Sequence, residues 1–298
     1  MANVVINDSH LTAIGNAIRT KNGSQILYKP REMAAAIEAI EVGGGGGSGD
    51  GEISAVHQSM IDIMRGNDGI TVVLPKETRS VPANMFYQNS SIKHVVIENH
   101  DAPAFTHIGS TAFSTASNLK TFEWPKILSN IGSSAFYGCG DLVTDELPDT
   151  VDTIGSGAFN TCSSINFTKL PKLVTRIEAN TFKNCTSLQI TKLHEGITYV
   201  GNYAFSYACN SNETRDMLTL PASLKQIGNV AFGNQNFKKI RFLGTPDQGG
   251  VSASAFSYSQ PLFDIYVPWT HSAVVNNAPW GATSATIHYN TSPDEVIE

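Results

Sequence analysis

One phrase recurs along this chain at a nearly constant interval, and it constrains the fold more than any other feature. An Ile or Val, usually followed by Gly, leads to a Phe, as in IGSSAF, IGSGAF and VGNYAF. The repeat phenylalanines, most often 23 residues apart, are Phe86, Phe113, Phe136, Phe159, Phe182, Phe205, Phe232 and Phe256. A unit of this length cannot bury its own apolar side chains, so it must stack on its neighbours. The sequence therefore predicts a solenoid.

A second apolar phrase follows the first at the same period and predicts the strands. It has the form Leu-x-x-Leu-x-Leu-Pro or a degraded version of it, as in LVTDELP and INFTKLP. Alternating burial over four or five residues that ends at proline is typical of a short strand. We expect a mainly β solenoid over residues 70–267, with one short parallel strand in each repeat of about 23 residues.

Both ends of such a stack need a cap, because the outermost repeats lack a neighbour. Residues 52–69 contain an amphipathic helical pattern and are expected to cover the front. Residues 268–298 are rich in aromatic side chains, and we expect Trp269 and Trp280 to close the core at the back.

The cysteines follow the repeat. Cys139, Cys162 and Cys185 each lie three residues after a repeat phenylalanine, and Cys209 lies near the next one. Stacked coils would place the column at about 5 Å intervals, near enough for a disulfide, but three side chains that point the same way cannot pair completely. We favour buried, reduced thiols. Zinc is disfavoured, because no Cys-x-x-Cys motif or nearby histidine accompanies them.

The first 42 residues lack the repeat and contain two short helical patterns. Their apolar positions at helical spacing are Leu11, Ile14, Ile18, Met33, Ile37 and Ile40. Two short helices bury too little surface to offset their ordering entropy, so we expect residues 1–42 to be an attachment or oligomerisation module. The glycine-rich residues 43–51 predict a flexible linker. A phosphate-binding loop is disfavoured, because the lysine and the preceding strand of that motif are missing.

Composition and charge disfavour several classes of function. Charged residues make up 15% of the chain and the formal net charge is -6, so nucleic acid is not expected as a partner. The start of the chain lacks a signal-peptide pattern, and no apolar run reaches the length of a membrane helix. We expect no enzyme, cofactor or metal, because nucleophile motifs and metal-ligand clusters are missing. Glu123 and Glu146 have a spacing that a glycoside hydrolase would use, but repeat equivalence explains the pair better.

The repeat resembles a known family. The Ile-Gly-x-x-Ala-Phe phrase, with Cys three residues later and a strand ending in Leu-Pro, resembles the BspA-like leucine-rich repeats of bacterial and protozoan surface proteins and of bacteriophage proteins. The resemblance covers roughly residues 70–267 and implies a leucine-rich-repeat solenoid. The front segment, LTAIGNAIRTKNG with REMAAAIEAI and a glycine tract, is similar to amino-terminal modules of phage tail and baseplate proteins from Gram-positive hosts. The closing phrase NAPWGATSATIHY is similar to tails that follow such repeats.

These resemblances imply a phage or prophage virion structural protein, assembled in the host cytoplasm, of the tail-fibre or receptor-binding kind. Residues 1–42 would attach to other tail or baseplate proteins, and the solenoid would face carbohydrate or protein on the bacterial surface. A homotrimer is expected, because phage fibres resemble that pattern and clustering raises avidity. The alternatives are a purely architectural or head-decoration fibre without a receptor, and a bacterial surface adhesin.

Ligand contact is expected on the exposed face of the strands. In the Leu-x-x-Leu-x-Leu register, the residue before the last apolar position faces solvent, and Phe167 and Ile190 add exposed apolar surface beside two lysines. The predicted ligand-binding residues are Glu123, Glu146, Phe167, Lys169, Ile190, Lys192 and Arg241, with Thr219 in the same column. The column is acidic at one end and basic at the other. The alternative is that these residues form only the solvated side of the sheet.

Overall fold

A computed structural model describes residues 70–74, 78–97, 105–209, 214–259, 262, 264–270, 279–282 and 284–291. The predicted attachment module (1–42), the linker (43–51) and the predicted front cap (52–69) all lie outside the described residues. The described part of the chain is a mainly β solenoid of parallel strands, as the repeat predicts. It contains no α-helix, and therefore none long and apolar enough to cross a membrane.

The strands of the described residues are short. In chain order they are β1 (Thr71–Leu74), β2 (Ser80–Val81), β3 (His94–Ile97), β4 (His107–Ile108), β5 (Thr121–Phe122), β6 (Asn130–Ile131), β7 (Thr153–Ile154), β8 (Arg176–Ile177), β9 (Tyr199–Val200), β10 (Arg215–Leu220), β11 (Gln226–Ile227), β12 (Phe237–Phe242), β13 (Asp264–Tyr266) and β14 (Thr286–His288). We number the turns of the solenoid coil 1 to coil 8 by their phenylalanines, from Phe86 in coil 1 to Phe256 in coil 8.

Two-residue strands at the start of each phrase form one ladder, which we call the edge ladder. Parallel pairing joins β2, β4, β6 and β7 in one run and β8, β9 and β11 in a second. Each strand ends on the buried Ile or Val that opens the phrase, so that Ile108, Ile131 and Ile154 lie in register. β-Branched side chains suit such positions, because they pack well on a pleated surface.

The glycine that follows the Ile or Val at the start of the repeat phrase lets neighbouring coils approach closely along this ladder. The amide of Gly132 donates to the carbonyl of Ile108 at 2.8 Å, and that of Gly155 donates to Ile131 at 2.8 Å. A Cβ on Gly132 would lie 2.5 Å from the backbone nitrogen of Ser110 in the coil before it. A side chain added to Gly132 would therefore require the two coils to shift.

A stack of phenylalanine rings fills the core. Rings of consecutive coils lie nearly parallel, with centroid distances from 4.9 Å between Phe86 and Phe113 to 5.8 Å between Phe159 and Phe182. The residues two before and two after each phenylalanine almost all have positive φ, which allows the chain to turn sharply on both sides of the ring. The ring stack and the paired turns are the features that every coil shares.

The second apolar phrase forms strands only toward the two ends of the solenoid. Sheet order is β1-β3-β5 at the front and β10-β12-β13-β14 at the back. In coils 3 to 5 the corresponding residues, 142–147, 165–170 and 188–193, form no regular strand. In the middle coils the one short parallel strand expected in each repeat is therefore the edge-ladder strand, and only its placement in the second phrase is wrong there.

The spacing of the inward side chains gives the physical reason. In coil 4 the buried residues are Ile165, Phe167 and Leu170, and coil 5 has the same spacing. The strand β12 has these steps of two and three residues in the opposite order, so that its last buried residues, Ile240 and Phe242, alternate with an outward residue, whereas coils 4 and 5 lack this alternation before the last anchor. The middle coils therefore bury their apolar side chains in an irregular conformation.

The back of the core is closed by tryptophan, as the sequence predicts. Trp269 and Trp280 are 7% and 1% exposed, and both rings contact Phe242. Trp280 also contacts Phe256, the last ring of the stack. The strand β14 then pairs in parallel with β13 and extends the back sheet by one strand.

Candidate ligand-binding face

The predicted column of outward side chains exists on the solenoid. We call it the sheet face, and it consists of Glu123, Glu146, Lys169, Lys192, Thr219 and Arg241. Strand register places Thr219 beside both Lys192 and Arg241. Glu146 and Lys169 of neighbouring coils approach to 3.5 Å between Oε2 and Nζ. The structure therefore brings Glu146 beside Lys169, and Thr219 between Lys192 and Arg241.

The two glutamates at the acidic end of the sheet face make contacts within the protein. An oxygen of Glu123, Oε2, accepts a hydrogen bond of 2.8 Å from the backbone amide of Ile97 at the end of β3. Glu146 pairs with Lys169, and the side chains are 66% and 60% exposed. Ion pairs this exposed contribute between nothing and about 1 kcal/mol. Neither interaction removes Glu146, Lys169 or Lys192 from solvent.

The face continues beyond Arg241 into two aromatic residues that sequence reasoning missed. Tyr266 of β13 lies beside Arg241 in register, and His288 of β14 lies beside Tyr266. The rings of Tyr266 and His288 are stacked with centroids 4.6 Å apart, and His288 Nε2 lies 2.7 Å from Asp264 Oδ1. The phrase LFDIYVP signalled the first strand, but nothing in the sequence placed His288 in the next one.

Phe167 and Ile190 do not belong to this face, and their assignment as exposed contact residues is wrong. Phe167 is fully buried and Ile190 is 2% exposed. The ring of Phe167 packs edge-on against Phe159 and Phe182, with centroids 5.7 Å and 6.2 Å away. The assumed Leu-x-x-Leu-x-Leu pattern fails in coils 4 and 5. There the middle buried residue, Phe167 or Ile190, lies two residues after the first one and not three.

The predicted assembly residues lie outside the described part of the chain. These are Leu11, Ile14, Ile18, Met33, Ile37 and Ile40. Their role in attachment or oligomerisation stays a prediction.

The geometry gives little support to catalysis. Glu123 is held by a backbone amide and Glu146 by a lysine, so neither carboxylate has the apolar setting of a general acid. A cavity lined by Cys209, Phe232 and Phe237 has a volume of about 10 Å³, room for about one water molecule. Among the described residues, no group of three or more His, Cys, Asp or Glu is placed to hold a metal ion.

The cysteines are free and buried, as predicted, and they connect neighbouring coils. The thiol of Cys139 donates to the carbonyl of Phe113 at 3.1 Å, and the thiol of Cys162 donates to that of Phe136 at 2.9 Å. In coil 8, Ser259 takes this role through its hydroxyl, 2.8 Å from the carbonyl of Phe232. Burial raises the pKa of the Cys139 thiol to about 12, so it stays protonated at neutral pH.

Comparison with known proteins identifies the family. The model of the BspA type leucine-rich repeat region matches residues 79–213 and 208–289, in six copies. This match covers most of the chain, so the chain belongs to the BspA-type leucine-rich repeat family. The match begins at residue 79 and does not include residues 1–42. A comparison with curated proteins found no match.

Solved leucine-rich repeat structures are similar to this chain. A leucine-rich repeat protein from Bacteroides ovatus is 20% identical with a TM-score of 0.53, over 76% of this chain and 62% of that protein. This chain thus spans less than two thirds of that relative, and the similarity supports the fold alone. A leucine-rich cell surface protein from Faecalibacterium prausnitzii is 21% identical (TM-score 0.41, 75% and 80% covered). A leucine-rich repeat protein from T. pallidum is 26% identical (TM-score 0.35, 48% and 78% covered).

Proposed function

We propose that this chain is a non-catalytic recognition protein that binds a bacterial-surface ligand, carbohydrate or protein, through the sheet face. One observation carries the proposal. The outward column changes sign along the solenoid, from Glu123 and Glu146 to Lys192 and Arg241. A column with separated charges favours an extended ligand in one orientation and register.

The basic half of the face is the better candidate for affinity. Lys192 and Arg241 lie on either side of Thr219, an uncharged residue, and the stacked rings of Tyr266 and His288 continue the surface. Arginine and tyrosine are enriched among residues that dominate binding energy. An anionic surface polymer fits this half.

The proposed setting is a phage or prophage virion. It is supported by the resemblance of residues 1–42 and of the closing phrase to phage tail and baseplate proteins. In this setting residues 1–42 attach the protein to other tail or baseplate components, and a homotrimer presents three solenoids to one surface. Clustering compensates for weak single contacts by raising the effective concentration.

The binding proposal is tested by charge reversal on the face. The full chain is incubated with purified cell-wall teichoic acid, and retention is measured against a Lys192→Glu/Arg241→Glu variant. We expect the variant to lose roughly tenfold or more in affinity. The matched control is Lys172→Glu/Lys225→Glu, which makes the same charge change at exposed residues outside the sheet face.

Two results would contradict the proposal. Equal loss in the control and in the face variant would mean that net charge, not the sheet face, governs retention. No retention of the unaltered chain by teichoic acid or by whole cells would favour the architectural fibre without a receptor.

The setting needs a separate measurement, because a bacterial surface adhesin is compatible with the same fold. An antibody against the solenoid is applied to phage particles and to the cells that produce them, and both are imaged by electron microscopy. Labelled particles support the virion role. Labelled cell envelopes with unlabelled particles support the adhesin.

A further inference from the structure

Three tyrosines, Tyr203, Tyr207 and Tyr258, have positive φ, which is unfavourable for a bulky side chain, and the last two occupy the same position of their coils. Tyr207 and Tyr258 each lie two residues after a repeat phenylalanine and have φ of 56° and 65°. Every coil turns at this position, which we call the turn column. Its members are Gln88, Thr115, Gly138, Thr161, Asn184, Tyr207, Asn234 and Tyr258.

The fold requires the turn but does not require tyrosine. Glycine and asparagine adopt positive φ at lower steric cost than an aromatic residue, and Gly138, Asn184 and Asn234 take this role in other coils. Neither tyrosine is needed in the core, because Tyr207 is 45% exposed and Tyr258 is 74% exposed. Folding alone therefore does not explain the two aromatic residues.

The two tyrosines are spaced by two coils on one side of the solenoid. The amide of Tyr207 donates to the carbonyl of Gly233 at 3.0 Å, and the amide of Asn234 donates to that of Ser257 at 3.1 Å. Asn234 thus lies between the tyrosines, which are separated by roughly 10 Å at a strand spacing of about 4.8 Å. This separation suits a ligand that repeats along its length.

The chemistry of the column points to an uncharged polar ligand. None of its eight members carries a charge, in contrast with the sheet face. A tyrosine ring offers an apolar face on which the C–H groups of a sugar ring stack. Its hydroxyl can also form a hydrogen bond with the sugar. Between the two rings, Asn234 offers both a donor and an acceptor to sugar hydroxyls.

We infer that the turn column of coils 6 to 8 is a second binding site, in which Tyr207 and Tyr258 stack on alternate sugars of a neutral polysaccharide and Asn234 bonds the sugar between them. This site goes beyond the proposed function, because it uses other residues and takes an uncharged ligand. The sheet face and the turn column would then contact two different components of one surface.

Affinity gel electrophoresis tests the site with the full chain. Separate gels contain dextran, mannan, galactan or xylan as neutral polysaccharides, or teichoic acid as the anionic one. We expect at least one neutral polysaccharide to slow the unaltered chain. We expect the Tyr207→Asn/Tyr258→Asn variant to bind it roughly tenfold more weakly or not at all. Asparagine already occupies this column in coils 5 and 7, so the variant is expected to fold.

A control separates this site from a general effect of exposed tyrosine. Tyr137 is 40% exposed in coil 3 and lies outside the turn column, and Tyr137→Ser should leave the retardation unchanged. The inference is overturned if none of the neutral gels slows the chain, or if the double variant is slowed as much as the unaltered chain. Binding to teichoic acid should not change in the double variant, so failure of this site and failure of the sheet face are distinguishable.

Discussion

At the scale of single residues, the side chain three residues after the repeat phenylalanine links coils 3, 4, 5, 7 and 8 to an earlier phenylalanine carbonyl. Cysteine, serine and glutamine all take this role, in Cys162, Ser259 and Gln235, and each donates to a phenylalanine carbonyl. The cysteines thus serve as small buried donors. A sequence containing three equally spaced cysteines suggests metal or disulfide chemistry, but the shared partner explains the spacing.

We predict that serine can replace the thiol of Cys162 and that alanine cannot. Cys162→Ser keeps a donor for the Phe136 carbonyl and should change the free energy of unfolding by less than about 1 kcal/mol. Cys162→Ala removes the donor and leaves a small cavity, and should lower it by about 2 kcal/mol. Urea unfolding of the full chain measures both. An alanine variant as stable as the serine variant would show that the hydrogen bond contributes nothing.

The buried thiols also predict a loss of stability in alkali. Burial raises the pKa of Cys139 and of Cys209 from 9.0 to about 12, so the folded chain keeps protons that the unfolded chain loses. The contribution of each protonated thiol to the free energy of unfolding is fully present below about pH 9 and is lost as the pH rises toward 12. Each such thiol adds a slope of about 1.4 kcal/mol per pH unit within that window.

The comparison uses unfolding free energies between pH 8 and pH 11 for the unaltered chain and for Cys139→Ser. Serine does not titrate in this range, so the variant should show the shallower fall. Parallel curves would mean that Cys139 ionises equally in the folded and unfolded states.

At the scale of elements, the edge ladder is interrupted once among the described strands. Pairing runs from β2 to β7 and resumes at β8, where Glu178 takes the place of the glycine found in most coils. The amide of Gly201 in the next coil donates to Ile177 at 2.8 Å, but the equivalent bond from Glu178 to Ile154 is missing from the described backbone. The phenylalanine rings are also farthest apart at this step, at 5.8 Å. In coil 5, Glu178 therefore coincides with a wider separation of the coils, whereas Ser252 at the same position of coil 8 keeps the ladder bond, with its amide 2.9 Å from the carbonyl of Ile227.

We predict that an alanine substitution destabilises the protein at Gly155, before this interruption, and has little effect at Glu178, after it. In Gly155→Ala the new Cβ would lie 2.5 Å from the backbone nitrogen of Ser133, so the coils must move apart, and the free energy of unfolding should fall by about 2 kcal/mol. In Glu178→Ala the coils are already separated, and the change should be within about 0.5 kcal/mol.

Hydrogen exchange provides a second measurement of the same feature. The amide of Gly155 should exchange slowly and that of Glu178 quickly, because only the first donates along the ladder. Equal protection of the two amides would contradict the interruption.

At the scale of the whole molecule, stability is shared between coils. The core is a continuous stack in which each phenylalanine from Phe113 to Phe232 lies between the rings of two other coils, so no coil buries its apolar side chains alone. The tryptophan cap at the back and the strand β14 cover the last coil. The arrangement leaves the sheet face and the turn column as two separate surfaces on one scaffold.

We predict that residues 1–42 make the full chain a trimer. Light scattering should give about three times the mass of one chain, 32.0 kDa, for residues 1–298. Residues 52–298 alone should be monomeric, because the solenoid surfaces contain no described segment that resembles an oligomerisation helix. Monomers in both cases would mean that the module binds a different protein, and avidity would then depend on that partner.

The sequence by itself determined the repeat, the number of coils and the repeated core residues, such as the stacked phenylalanines, because a 23-residue unit with fixed apolar anchors can be buried only by stacking. It also placed Glu146, Lys169, Lys192 and Arg241 on one face. Tertiary structure decided the rest. Phe167 and Ile190 point inward because packing against the core of the solenoid sets which residues of an irregular segment are buried. Local alternation does not set it. His288 and the turn column depend on register between coils, which no single repeat specifies.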